Sequence, residues 1–138
     1  VLDGTRALDL ADLAEQVRHL VTTEQRLGAS ITADIADLRG SASPALVQAF
    51  GEAAREALTN ARKHAGGAAV RLGLGLEDGM LVLEVVNGGA DPHAVLAASG
   101  SGRGLDGIRA RFTRLPGGEA DITTDHGAFR LRAKARRS

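Results

Sequence analysis

The stretch EALTNARKHA, Glu56 to Ala65, decides the fold of this chain. It ends a long segment of helical periodicity, and its polar residues Glu56, Asn60, Lys63 and His64 are spaced i, i+4, i+7 and i+8. On a helix these residues form one stripe, which borders the apolar face instead of opposing it. A Glu and an Asn one turn apart at the edge of a core can hold a hydrated Mg²⁺ and orient a water. The helix alone favours a plainer interpretation, a solvated or hydrogen-bonded rim.

The helix that carries this stretch has clear start and stop signals. Ser43 is a predicted N-cap, Pro44 follows at the first helical position, and Gly66-Gly67 ends the helix. Its apolar face is predicted to comprise Leu46, Phe50, Ala54, Ala57, Leu58 and Ala61. Its outward face is predicted to comprise Glu52, Arg55, Thr59 and Arg62.

The strand MLVLEVVN ends at a polar residue that shares a face with apolar ones. By period two, Leu81, Leu83, Val85 and Asn87 lie on one side of the strand, and the first three should pack on the helices. Asn87 then points the same way at the strand's end, where the chain breaks into glycines. Such a residue is either a capped strand end or a contact to a ligand.

The segment GSGRGLDGIRARF, Gly100 to Phe112, contains a G-x-G-x-x-G spacing that begins at Gly102. A dinucleotide-binding turn needs a strand directly before these glycines and an acidic residue about twenty residues further on. The preceding DPHAVLAAS has no strand pattern, so that interpretation fails, and a nucleotide lid or a plain loop remains. Residues Gly89 to Ser101 carry little apolar mass and have glycines at both ends, which predicts a mobile lid.

Periodicity along the chain predicts helix, strand, helix, strand, strand, flap, helix, strand, strand. The first helix is predicted from Leu10, with Asp9 as its N-cap and Gly28 as its stop, and Asp78-Gly79 makes a hairpin turn. One core shared by helices and strands implies the α+β class, a two-layer α/β sandwich with helices on one face of a mixed, mostly antiparallel sheet. Residues 1–138 are interpreted as one domain, with residues 1–8 as a linker remnant.

Composition excludes several classes of function. The 138 residues carry a formal net charge of zero, which disfavours a dedicated nucleic-acid binder. There is no cysteine, so disulfides, thiolate chemistry and cysteine metal sites are excluded, and the four histidines show no ligand spacing. No apolar run is long enough to span a bilayer, which predicts a cytoplasmic chain without direct membrane insertion.

Together these segments resemble the GHKL ATPases, the superfamily of gyrase, Hsp90, histidine kinases and MutL. EALTNARKHA looks like their N-box, LVLEVVNGG like the strand leading into the first glycine box, and GSGRGLDGIRAR like the second glycine box. PGGEADITTDHGAFRLRA is similar to the closing hairpin. The resemblance is closest to sensor histidine kinases that pair with helix-turn-helix response regulators. It implies the Bergerat fold, with ATP and Mg²⁺ held between the helices and a mobile lid.

The resemblance also assigns roles to matching residues. Asn60 would ligate Mg²⁺, Glu56 would orient a water or act as a base, and Asn87 aligns with the Asp that usually accepts the adenine amino proton. Further nucleotide contacts implied by the family are Lys63, His64, Gly89, Gly100, Gly102, Gly104 and Leu105. An Asn still offers a carbonyl to the amino group, although a neutral acceptor is weaker than a carboxylate.

The function implied is that of the ATP-binding catalytic domain of a sensor histidine kinase, which presents Mg-ATP to a histidine on a separate dimerisation segment. His19 lies in EQVRHLV, which lacks the acidic residue usual after a phosphoacceptor, so it is interpreted as an ordinary histidine. The implied partners are the parent kinase, which can be membrane-anchored, and a response regulator. Two alternatives stay open: an anti-sigma-factor-type serine kinase of the same fold, and a degenerate non-catalytic interaction module.

Overall fold

The computed structural model describes residues 8–64, 69–88, 104–125 and 128–137. The helices are α1 (Leu10–Arg26), α2 (Pro44–His64) and α3 (Gly104–Thr113). The strands are β1 (Leu8–Asp9), β2 (Ser30–Ile35), β3 (Ser41–Ala42), β4 (Ala69–Glu77), β5 (Met80–Gly88), β6 (Glu119–Asp125) and β7 (Ala128–Arg136). These elements follow the predicted order, with the short strands β1 and β3 in addition.

The helix ends are set by the residues that the sequence indicated. Asp9 caps α1, and its carboxylate accepts a hydrogen bond of 2.9 Å from the backbone N–H of Ala11. Gly28 follows α1 with a φ of +102°, a backbone region that favours glycine. Ser43 caps α2 through a bond of 3.1 Å from the N–H of Leu46 to its hydroxyl oxygen. In the described part of the chain, no helix is both long enough and apolar enough to cross a membrane.

A five-stranded mixed sheet in the order β2-β4-β5-β7-β6 forms one layer of the fold. β2 and β4 are parallel because α2 crosses over between them, and the other neighbouring strands are antiparallel. The β4–β5 hairpin turns at Asp78 and Gly79, whose φ values of 52° and 79° are those of a tight two-residue turn. A separate two-stranded ladder joins β1 to β3. These two strands were not predicted, because two residues per strand are too few to give a periodic pattern.

The helices pack on one face of this sheet. α2 contacts β5 and β7, and α3 contacts β6 and β7. The sheet residues buried beneath them include Leu72, Leu74, Leu81, Leu83, Val85, Leu131 and Ala133. These side chains alternate along their strands with more exposed ones, as expected for a sheet with one covered face. The predicted two-layer α/β sandwich is confirmed.

Two aromatic rings join α2 to α3 in the core. Phe50 and Phe112 are both fully buried, their ring centroids lie 4.8 Å apart, and the ring planes cross at 78°. This edge-to-face arrangement sets the positive edge of one ring against the negative face of the other. The pair fixes α3 against α2, the helix that carries EALTNARKHA.

The other face of the sheet carries ion pairs. Glu84 on the central strand lies 3.4 Å from Nε of Arg130 and 3.5 Å from Nη1 of Arg132. Glu77 lies 3.1 Å from Nη2 of Arg132, and hydrogen bonding to Glu77 raises the pKa of Arg132 above its ordinary value. These cations of β7 are therefore paired within the sheet, as suits a solvated last strand.

Candidate functional site

The polar stripe of EALTNARKHA lies along the edge of the helical layer. Glu56 and Asn60 are half-buried, and Lys63 is exposed. The six apolar residues predicted for the core face of α2 are all buried. His64 ends α2, and its side chain lies outside the described residues. The stripe therefore borders the core, as the sequence predicted, and Glu56 and Asn60 are the more buried of its described side chains.

Asn87 lies in the middle strand of the sheet, in the same row as Leu81, Leu83 and Val85. Those three residues are fully buried, and Asn87 is 2% exposed, so it belongs to the helix-facing side of β5 as predicted. Among the residues that the structure describes, none donates a hydrogen bond to its Oδ1 atom. A buried acceptor is shielded from bulk water, so a ligand that brings a donor to it gains binding energy.

Asn87 and the C-terminal end of α2 lie at the same end of the sheet. α2 ends at His64 and β4 begins at Ala69, and the link between them spans at most about 18 Å. Val70, the second residue of β4, pairs directly with Asn87. Asn60, one turn before the end of α2, is therefore brought towards the end of the sheet that holds Asn87.

The glycines of the second motif lead into a helix, as expected. α3 begins at Gly104 and buries Ile108 and Phe112. The other glycines assigned to the site, Gly89, Gly100 and Gly102, lie outside the described residues, as do the predicted lid at residues 89–101 and the side chain of Leu105.

One ion pair that positions α2 was not predicted from the sequence. Nε of Arg62 donates to Oε1 of Glu24 at 2.7 Å, and Glu24 is 8% exposed. The partners are far apart in sequence, so no spacing rule within one helix could find them. The sequence did contain one indication of this pair. Glu24 follows Val17 and Val21 on the buried face of α1, and a charged side chain at a buried position needs a partner of opposite charge.

Replacing Glu24 by alanine should lower the free energy of unfolding by about 1–3 kcal/mol. The change leaves the guanidinium of Arg62 without its carboxylate, although Arg62 is 39% exposed and partly regains water. Urea unfolding followed by circular dichroism measures the loss. Glu15→Ala on the same helix is the matched control, because its pair with Arg18 is long, at 3.6 Å, and exposed. A loss for Glu24→Ala no larger than that of this control would contradict the positioning role.

The residue types at this site fit a magnesium-bound nucleotide. The oxygens of Asn60 and Glu56 are of the hard kind that Mg²⁺ prefers, and few protein ligands suffice for this ion. The Oδ1 of Asn87, to which no described residue donates, fits a base that offers an amino group. Within the described ranges, no group of three or more histidine and carboxylate side chains is arranged to hold a metal.

Solved structures of histidine kinases share this architecture. The catalytic domain of histidine kinase ThkA matches 96% of this chain and 95% of its own, with a TM-score of 0.72 and 13% identity. The histidine kinase domain of the blue-light activated kinase EL346 from Erythrobacter litoralis matches 99% of this chain and 65% of its own, with a TM-score of 0.75 and 17% identity. Histidine kinase AdeS from Acinetobacter baumannii matches 100% of this chain and 69% of its own, with a TM-score of 0.70 and 11% identity. No protein-family model and no curated protein matches the chain.

The chain therefore has the fold of the catalytic domains of histidine kinases. The Bergerat-type sandwich that the resemblance implied is confirmed at the level of the fold. The likeness to these structures assigns no role to individual residues.

Proposed function

We propose that this chain is the ATP-binding catalytic domain of a two-component sensor histidine kinase. It holds Mg-ATP so that the γ-phosphoryl group is transferred to a histidine on a separate dimerisation segment. The observation that carries the proposal is Asn87, a buried acceptor with no donor among the described residues, at the end of the sheet towards which α2 brings Asn60. The histidine-kinase fold supports it.

Three residues of the stripe have separate roles in this proposal. The amide oxygen of Asn60 would ligate Mg²⁺, which would supply positive charge against the phosphates. Glu56 orients a water or acts as a base, and Lys63 places its ammonium group against phosphate. The remaining proposed contacts are His64, Gly89, Gly100, Gly102, Gly104 and Leu105, where glycines let backbone N–H groups approach the phosphates.

The proposed partners are the histidine-bearing segment of the parent kinase and a response regulator, with no nucleic acid, and the proposed location is the cytoplasm. That the structural neighbours are histidine kinases supports a histidine acceptor over the serine of an anti-sigma-factor-type kinase. The two acceptors differ chemically, because phosphohistidine hydrolyses in acid and survives alkali, whereas phosphoserine does the opposite. Acid treatment of the phosphorylated parent protein therefore distinguishes the two kinases.

Magnesium with ADP or a non-hydrolysable ATP analogue should stabilise the domain against heat. A ligand that binds only the folded state adds about 2.7 kcal/mol at one hundred times its Kd. For a domain of this length, that gain raises Tm by roughly 10 °C. Circular dichroism is the suitable measurement because the chain has neither Trp nor Tyr.

Magnesium alone is the control for this experiment, since it should leave Tm unchanged without nucleotide. An unchanged Tm at millimolar Mg-nucleotide would remove ATP binding from the proposal. The non-catalytic interaction module would then be the better assignment for this fold.

A further inference from the structure

The buried amide of Asn87 combines two hydrogen-bonding functions that a carboxylate does not. Oδ1 accepts and Nδ2 donates from the same planar group, and a half-turn about the last side-chain bond exchanges them. Because no described residue bonds to Oδ1, no such bond fixes which way this group faces.

The described cross-strand neighbours of Asn87 are apolar, so its amide is the polar group among them. Its cross-strand neighbours, Val70 and Phe129, are 4% and 1% exposed and apolar. The other buried charged or polar residue of the described chain, Glu24, is engaged with Arg62. In apolar surroundings a mismatched donor or acceptor is costly, so the hydrogen-bonding pattern at residue 87 determines which ligand edge fits.

Purine bases present two opposite edges to such a group. Adenine offers a donor at its 6-amino group and an acceptor at N1, whereas hypoxanthine and guanine offer an acceptor at the 6-oxo group and a donor at N1. An amide pairs with the first edge in one orientation and with the second after a half-turn. A carboxylate has acceptors alone, so it attracts the 6-amino group and repels the 6-oxo group.

We infer that this site accepts 6-oxo purine nucleotides as well as adenine nucleotides, and that Asn87 is the residue that allows both. The inference rests on the proposed function, since it requires a nucleotide whose base meets Asn87. To discriminate between adenine and a 6-oxo purine, the site would need a group that repels one of the two bases, and the amide of Asn87 repels neither.

Calorimetry with the magnesium complexes of ADP, IDP and GDP tests this inference on the whole chain. IDP carries the 6-oxo group without the 2-amino group of GDP, so it isolates the 6-position of the base. The wild-type protein should bind IDP within about tenfold of ADP, a gap that one adaptable polar contact can bridge. In Asn87→Asp the ratio of the IDP and ADP dissociation constants should rise to at least about 100. Asn87→Leu, similar in size but without either function, should weaken both nucleotides by a similar factor.

The outcomes separate this inference from the proposed function. Wild-type protein that binds ADP but binds IDP more than about tenfold more weakly overturns the inference and leaves ATP binding in place. Binding of neither nucleotide overturns the proposed function itself. An Asp variant with the wild-type ratio removes Asn87 from the base contact. The comparison of ADP with IDP on wild-type protein needs no substitution, so a variant that fails to fold does not hide the answer.

Discussion

Replacing Asn60 by alanine should lower the affinity for Mg-ATP by at least about 100-fold. The loss of even an indirect partner of a metal ligand costs about 10- to 100-fold, so the loss of a direct ligand should cost more. Asn60 is half-buried at the rim of the core, and alanine is the best helix former, so the variant should keep α2 intact. Calorimetry with nucleotide, in magnesium and then in a chelator, measures the affinity and its metal-dependent part.

Arg55→Ala is the matched control for Asn60→Ala. Arg55 lies on the exposed face of the same helix, so its removal should change neither the affinity nor the melting temperature of the free protein. Asn60→Ala should likewise melt as the wild type does without nucleotide. If Asn60→Ala keeps a magnesium-dependent gain in nucleotide affinity, Asn60 is not at the metal.

Replacing Phe112 by alanine should lower the free energy of unfolding by about 3–5 kcal/mol. The side chain is fully buried, so its removal leaves a cavity and deletes the edge-to-face contact with Phe50. A domain of this kind is usually stable by about 5–15 kcal/mol, so the variant should lose a large fraction of its total stability. Urea unfolding followed by circular dichroism gives the difference.

Milder substitutions separate volume from ring geometry in this pair. Phe112→Leu keeps most of the volume and should cost less than Phe112→Ala. A double-mutant cycle that adds Phe50→Leu should return a coupling of about 0.5–1.5 kcal/mol, the usual worth of an aromatic pair. Leu27→Ala, at a residue that is 60% exposed, should have little effect. A loss below about 1 kcal/mol for Phe112→Ala would contradict the packing described here.

The predictable parts of the fold are those fixed by neighbouring residues. Asp9 and Ser43 act as caps because their side chains reach N–H groups within the next turn. Asp78-Gly79 forms the hairpin because the turn needs positive φ. The burial of Asn87 follows from period two once β5 is recognised, so this part of the site could also be predicted.

The parts that could not be predicted depend on packing between distant segments. Ala33 shares one face of β2 with Ile31 and Ile35 by period two, but it is exposed while they are half-buried. β2 is an edge strand, and Ala33 lines an open groove between β2 and α1. Thr59, expected on the outward face of α2, is half-buried. That no described residue donates a hydrogen bond to Oδ1 of Asn87 likewise depends on which side chains surround it, and no local pattern encodes that.

The place of β7 in the sheet has a consequence for synthesis on the ribosome. β7 lies between β5 and β6, although it follows both along the chain. The chain emerges from the ribosome at about 5–20 residues per second, so β6 is synthesised before β7, its ladder partner. Until β7 is synthesised, the edge of β5 that pairs with it also has unpaired backbone groups. The β4–β5 hairpin can form at once, but the sheet closes after β7 is released. The nascent domain therefore passes through an interval with exposed strand edges, when chaperones or neighbouring nascent chains have most access to it.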